Sequence, residues 1–213
     1  MHGHISIIQE ILIYFVPVLI AITFHEVAHG YVAYILGDPT AKRAGRLSLN
    51  PIKHLDPIGA IALLIVKVGW AKPVPINPIY FKKPRRDLFL VSFAGPFSNF
   101  LLAVLFSFII KVILYFFGGV SSGFYVRFFS VLIDILSAGV IVNIGLGLFN
   151  LIPIPPLDGS NMVMSILPKE MAISFGKIGK YGIIIIFILF LTGLVQKAIL
   201  PMLYFLVSIL LPG

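Results

Sequence analysis

Residues 23–32 read TFHEVAHGYV, and they lie inside an otherwise apolar stretch from Ile5 to Leu36. About 20 such residues cross the bilayer hydrocarbon as a helix, so this stretch predicts a first, tilted span with Pro17 as a kink. Two histidines and a glutamate inside it need a reason, because ionisable groups in lipid cost free energy and mark function by default. His25 and His29 are four apart, which stacks them on one helix face about a turn from each other. Two imidazoles so placed can share one metal ion. Glu26 follows His25 directly and projects to the side, where it can reach a water beside the metal without readily ligating it. This is the HExxH arrangement of zinc hydrolases, with the glutamate as general base. With five histidines among 213 residues, random placement gives the pattern about once in several hundred such chains, so accident is the weaker explanation.

The composition extends the membrane reading to the whole chain. Hydrophobic residues make up 59% and charged residues 11%, against about a quarter charged in soluble domains. The length suits one membrane-embedded domain covering 1–213. Zero cysteines exclude disulfides, thiolate catalysis and Cys-based zinc sites, so a metal must be held by His, Asp or Glu. The net charge of +8 comes from residues that flank apolar spans. They read as topology signals facing a cytoplasmic leaflet, which makes the lipid bilayer the partner and not nucleic acid. The start, MHGHISIIQE, lacks the positive end of a signal peptide, and the first span is expected to be retained.

The expected fold is an all-α polytopic membrane protein with four to six transmembrane segments. Spans are predicted at about 5–36, 88–117, 128–152 and 181–211. The last is interrupted by Gln196, Lys197 and Pro201, so it reads as one broken helix or two short passes. Within Gly37–Asp87, the apolar run Ile58–Val68 is too short to cross as a helix. Basic residues flank it on both sides: Lys42, Arg43, Arg46 and Lys53 before, and Lys72, Lys82, Lys83, Arg85 and Arg86 after. A region of about 53–81 is therefore expected to stay on the cytoplasmic side as a re-entrant and extended, β-like segment. Its continuation GWAKPVPINPIYF alternates proline with apolar residues, which forbids helix and suits edge-like chain. With that region inside, the third span returns Asp158 to the cytoplasmic face. His29 lies eight residues before Gly37, roughly 12 Å along a helix. The HEVAH segment and Asp158 thus fall at similar depth.

Zinc held by two histidines needs a third protein ligand, with a fourth position open to water. The sequence offers His54 with Asp56 in NPIKHLDP, or Asp158 in NLIPIPPLDGS. Asp158 follows a stretch that Pro153, Pro155 and Pro156 keep from forming regular helix. Irregular backbone at membrane depth is tolerated where protein or a water-filled cavity receives it. A helix N-cap is the plainer reading of this aspartate. Asn143 and Asn150, seven apart, share a face of the third span. Asn143 and Asn99 read equally as polar contacts between helices.

Several segments together resemble the site-2 protease family of intramembrane zinc metalloproteases. They are HEVAH at 25–29, GRLSLNPIKHLDPIG at 45–59, GWAKPVPINP at 69–78, AGPFSN at 94–99 and NLIPIPPLDG at 150–159. The pieces occur in the family's order, in a minimal form without a segment resembling a PDZ or CBS domain. The resemblance implies Zn2+ as cofactor and Asp158 as third ligand beside His25 and His29. It also implies that the Gly95–Asn99 stretch and Asn150 lie by the active site. Asn150 would help to hold the substrate carbonyl or the oxyanion, and Asn99 likewise, with Asn143 grouped among these substrate-binding residues.

The expected chemistry is water attack on a peptide bond, with Glu26 moving the proton. The substrate is expected to be extended, held by a strand edge offered from Gly69–Phe81. By resemblance it is a single-pass membrane protein already shortened by an earlier cut, such as an anti-sigma factor or a signal-peptide remnant. The expected location is a bacterial or archaeal cytoplasmic membrane with the site towards the cytoplasm. Three other readings compete: another membrane HExxH protease, a metal transporter, and a structural subunit carrying the motif by accident.

Overall fold

The computed structural model describes residues 7–59, 71–119 and 123–212. Helix α1 (Ile7–Ile35) is followed by a short α2 (Thr40–Arg43). Two long helices come next, α3 (Pro84–Phe117) and α4 (Gly123–Asn150). The chain ends in α5 (Asp158–Ile166), α6 (Lys169–Lys177), α7 (Gly182–Leu191) and α8 (Leu194–Leu210). Four stretches are long and apolar enough to cross a membrane: Ile13–Ile35, Pro84–Phe117, Gly123–Asn150 and Lys169–Leu191. α8 is a shorter apolar helix. The protein is an all-α, multi-pass membrane protein, with no strand among the described residues.

The helix ends differ from the predicted spans for local reasons. α3 starts at Pro84 rather than 88, because proline at N1 loses no intrahelical bond. Asp87 then accepts the Lys83 N–H at 2.9 Å and caps the charged first turn. α4 starts at Gly123 and stops at Asn150, leaving the proline segment to turn. The final apolar region starts its helical course at Lys169 and breaks at Gly193, whose φ of 74° is left-handed. Glycine adopts that conformation at no steric cost and so ends α7. Gln196, Lys197 and Pro201, expected to interrupt this region, all sit within α8.

Lipid is as apolar as leucine, so the helices associate through close packing and interhelical hydrogen bonds. Ala103, Ile110 and Ile113 of α3 meet Leu136, Val140, Ile144 and Leu148 of α4, with Leu203 and Leu206 of α8 against them. Two glycines make that contact close. A β-carbon on Gly139 would lie 2.5 Å from the Phe106 ring, and one on Gly147 3.0 Å from Phe100. Exposed Phe108, Tyr115, Phe124, Ile183, Phe187 and Leu191 face outward, where a bilayer would receive them.

The apolar run Ile58–Val68 lies largely outside the described residues. On either side of it, Leu55 and Ala71 pair in an isolated antiparallel bridge, and the Lys72 N–H donates to the His54 carbonyl at 2.9 Å. Residues 72–77 then run without helix or strand. Buried Asp38, just past α1, accepts the Asn77 N–H at 2.6 Å and the Thr40 N–H at 2.9 Å. Phe81 packs with Ala33 and Val91, with Ile76 beside them. This segment is thereby fastened along the end of α1. Farther on, a β-carbon on Gly182 would stand 1.7 Å from the Pro155 carbonyl oxygen, so α7 begins in direct contact with the proline turn before α5.

Candidate metal centre

The helical register of α1 puts His25 and His29 on its buried face, and the start of α5 brings Asp158 against them. The Nε2 atoms of the two histidines are 3.0 Å apart. Asp158 Oδ2 lies 3.1 Å from His25 Nε2 and 3.3 Å from His29 Nε2. A tetrahedral zinc with bonds of about 2.0–2.1 Å spaces its ligand atoms by roughly 3.3–3.4 Å, close to this triangle. The other ring nitrogens are committed elsewhere. His29 Nδ1 is 2.7 Å from the Val91 carbonyl, an acceptor only, so it carries the proton. His25 Nδ1 is 2.7 Å from Asn99 Oδ1.

With a proton on each Nδ1, the two Nε2 lone pairs and an Asp158 oxygen converge in one buried site. Such an arrangement is repulsive without a cation, and Asp158 Oδ2 is a buried atom with no hydrogen-bond partner. The donor set fits zinc in both chemistry and size. No other cluster of three such residues occurs among the described residues. Neither His54 nor Asp56 joins it. Buried His54 sets Nε2 2.7 Å from the Ser48 carbonyl, and Asp56 accepts the Gly59 N–H at 2.9 Å.

Glycine makes room for the cluster on the α3 side. A β-carbon on Gly95 would come within 2.3 Å of His29 Nε2. Pro96 follows and cannot donate back to Ser92, which interrupts the helical ladder next to the Val91 carbonyl that His29 uses. On the α5 side, a β-carbon on Gly159 would meet the Leu151 carbonyl at 2.2 Å. Glu26 is half-buried, and its Oε2 accepts the Val74 N–H at 2.8 Å.

The three asparagines do not form one group. Asn99 and Asn143, expected among the substrate contacts, are fully buried and bonded to each other at 2.9 Å. Both amide functions of each are engaged within the protein. Asn150 is half-buried at the end of α4 and donates to the Leu146 carbonyl at 3.0 Å.

Two participants escaped the sequence reading: the Val91 carbonyl on His29 and the Val74 N–H on Glu26. Every residue owns a carbonyl, so the first has no side-chain signature. The second had one, since Pro73 and Pro75 leave Val74 as the sole N–H donor of that triplet.

Membrane-spanning helices around a buried His, His, Asp cluster with an adjacent glutamate define an integral-membrane metallopeptidase. The chain belongs to Peptidase family M50, the site-2 protease family, whose model matches residues 13–194. It is 42% identical over 193 residues to “Putative zinc metalloprotease YwhC” of Bacillus subtilis (strain 168), covering 88% of this chain and 84% of that protein. It is 26% identical over 191 residues to “Putative zinc metalloprotease Rip2” of Mycolicibacterium smegmatis, covering 87% and 69%. No solved structure matches the chain. The protein is a zinc-dependent metalloendopeptidase of the site-2 protease type.

Proposed function

We propose that this enzyme cuts peptide bonds in or near the transmembrane segments of single-pass membrane proteins, from a site that opens towards the cytoplasm. The observation that carries the reading is the meeting of His25, His29 and Asp158 within a spanning bundle, with Glu26 alongside. His25, His29 and Asp158 would hold the zinc, which when bound polarises water and the scissile carbonyl. Glu26 takes a proton from the attacking water and delivers it to the leaving amine. The Val74 N–H steadies one carboxylate oxygen of Glu26 and leaves the other for the water.

A helical peptide bond is shielded by its own hydrogen bonds, so the substrate must present extended chain. Residues 72–77, outside helix and tied to Glu26 through the Val74 N–H, would offer it a backbone edge. Asn150, the last residue of α4, would offer the amide hydrogen not used on Leu146 to the substrate carbonyl. The basic residues around 42–53 and 82–86 support a cytoplasmic placing of this end.

The test is cleavage in proteoliposomes of a panel of single-pass membrane proteins with shortened outer domains, with cut sites mapped by mass spectrometry. Cuts within or at the edge of the span are expected, lost with a zinc chelator and with Glu26→Gln. Cuts only in soluble loops, or undiminished cutting by Glu26→Gln, would overturn the reading.

A further inference from the structure

We propose that Asn143 and Asn99 are positioning residues that set the tautomer of His25, in a sense dictated by two backbone carbonyls. The proposal rests on the reading of His25 as a zinc ligand. A carbonyl oxygen only accepts, and a side-chain amide has one accepting and one donating end. The Asn143 side chain lies 2.9 Å from the Gly139 carbonyl, so its NH2 must face that oxygen. Its Oδ1 then faces α3. Asn99 meets Asn143 Oδ1 at 2.9 Å and the Ala21 carbonyl at 3.1 Å, and both partners demand donors. Both hydrogens of its NH2 are thereby engaged.

Only Oδ1 of Asn99 remains for His25, whose Nδ1 stands 2.7 Å away. His25 must carry its proton on Nδ1, which turns the Nε2 lone pair towards His29 and Asp158. Asn99 and Asn143 are 0% exposed, so water does not compete for these bonds. The relay crosses three helices, from α4 through α3 to α1. Partners of this kind hold a ligating imidazole in the right tautomer and orientation. His29 reaches the same state in one step through Val91, whereas His25 depends on two side chains.

The test is zinc affinity of the full chain in detergent, by competition with a chromogenic chelator, together with the visible spectrum of the Co2+-substituted protein. Asn99→Leu is expected to bind zinc about 10–100-fold more weakly with altered cobalt bands. Asn143→Leu should weaken binding less, because the Ala21 carbonyl still orients Asn99. Should Asn99→Leu not fold, Asn143→Leu decides. Wild-type affinity and an unchanged cobalt spectrum in the folded leucine variants would overturn the proposal and leave the zinc site standing. Wild-type protein that binds no zinc would instead overturn the reading of His25 as a ligand.

Discussion

Gly95 and His29 approach so closely that one methyl group on the glycine would overlap the imidazole nitrogen facing Asp158, at 2.3 Å from Nε2. The same methyl would stand 2.6 Å from Cε1 of His25. α3 thus presents bare backbone to the ligand cluster. Gly95→Ala is expected to displace both rings, since overpacking of this kind costs about 1–3 kcal/mol. Zinc content and cleavage should fall together while the protein remains folded by circular dichroism. Full zinc occupancy in this variant would show that α3 can withdraw.

Removing the third ligand should empty the site. Wild type is expected to hold about one zinc per chain, as a site with three protein ligands does. Asp158→Ala should lose it, and His54→Ala should retain it, because His54 bonds to Ser48 and lies outside the cluster. Atomic absorption on purified protein reads both. Zinc retained in Asp158→Ala would assign the third position to another residue.

Glu26→Gln separates proton transfer from metal binding. Its amide oxygen can still accept from Val74, so fold and zinc should persist. Cleavage should drop by at least about 10²–10⁴, the usual contribution of a general base. Single-turnover assays beside a zinc measurement check this.

Val74 allows a finer division. Val74→Pro deletes the N–H that meets Glu26, whereas Val74→Ala keeps it and only trims a buried side chain. Turnover is expected to fall much further in the proline variant, with zinc bound in both. Equal turnover in the two variants would remove the N–H from any part in holding the base.

Much of this centre could be read from residues alone because its chemistry is carried by rare side chains. Histidines four apart on an apolar helix announce a shared metal ion, and prolines before Asp158 announce a turn that can deliver an acid. The charge flanks put both at one depth. What stayed hidden was carried by common groups acting over long sequence separations. Val91 serves His29 through a carbonyl that any residue possesses. Asn99 and Asn143 offered two uses of equal standing, and only their neighbours separate them. Gly193 ends α7 through a backbone angle, while the more conspicuous Pro201 continues a helix. In a bilayer, apolar periodicity carries little information about which face turns inward, since both faces are greasy.

The contact between Gly182 and Pro155 gives the end of the chain a share in the chemistry. Pro155 belongs to the short turn that terminates in Asp158, and the first turn of α7 stands directly behind it. The histidines ride on one helix, but the acid stands at the end of a turn and needs a backstop. The start of α7 provides it, with Gly182 standing against the Pro155 carbonyl. A shift of α7 would therefore reach the turn that carries the acid directly, through the Gly182–Pro155 contact.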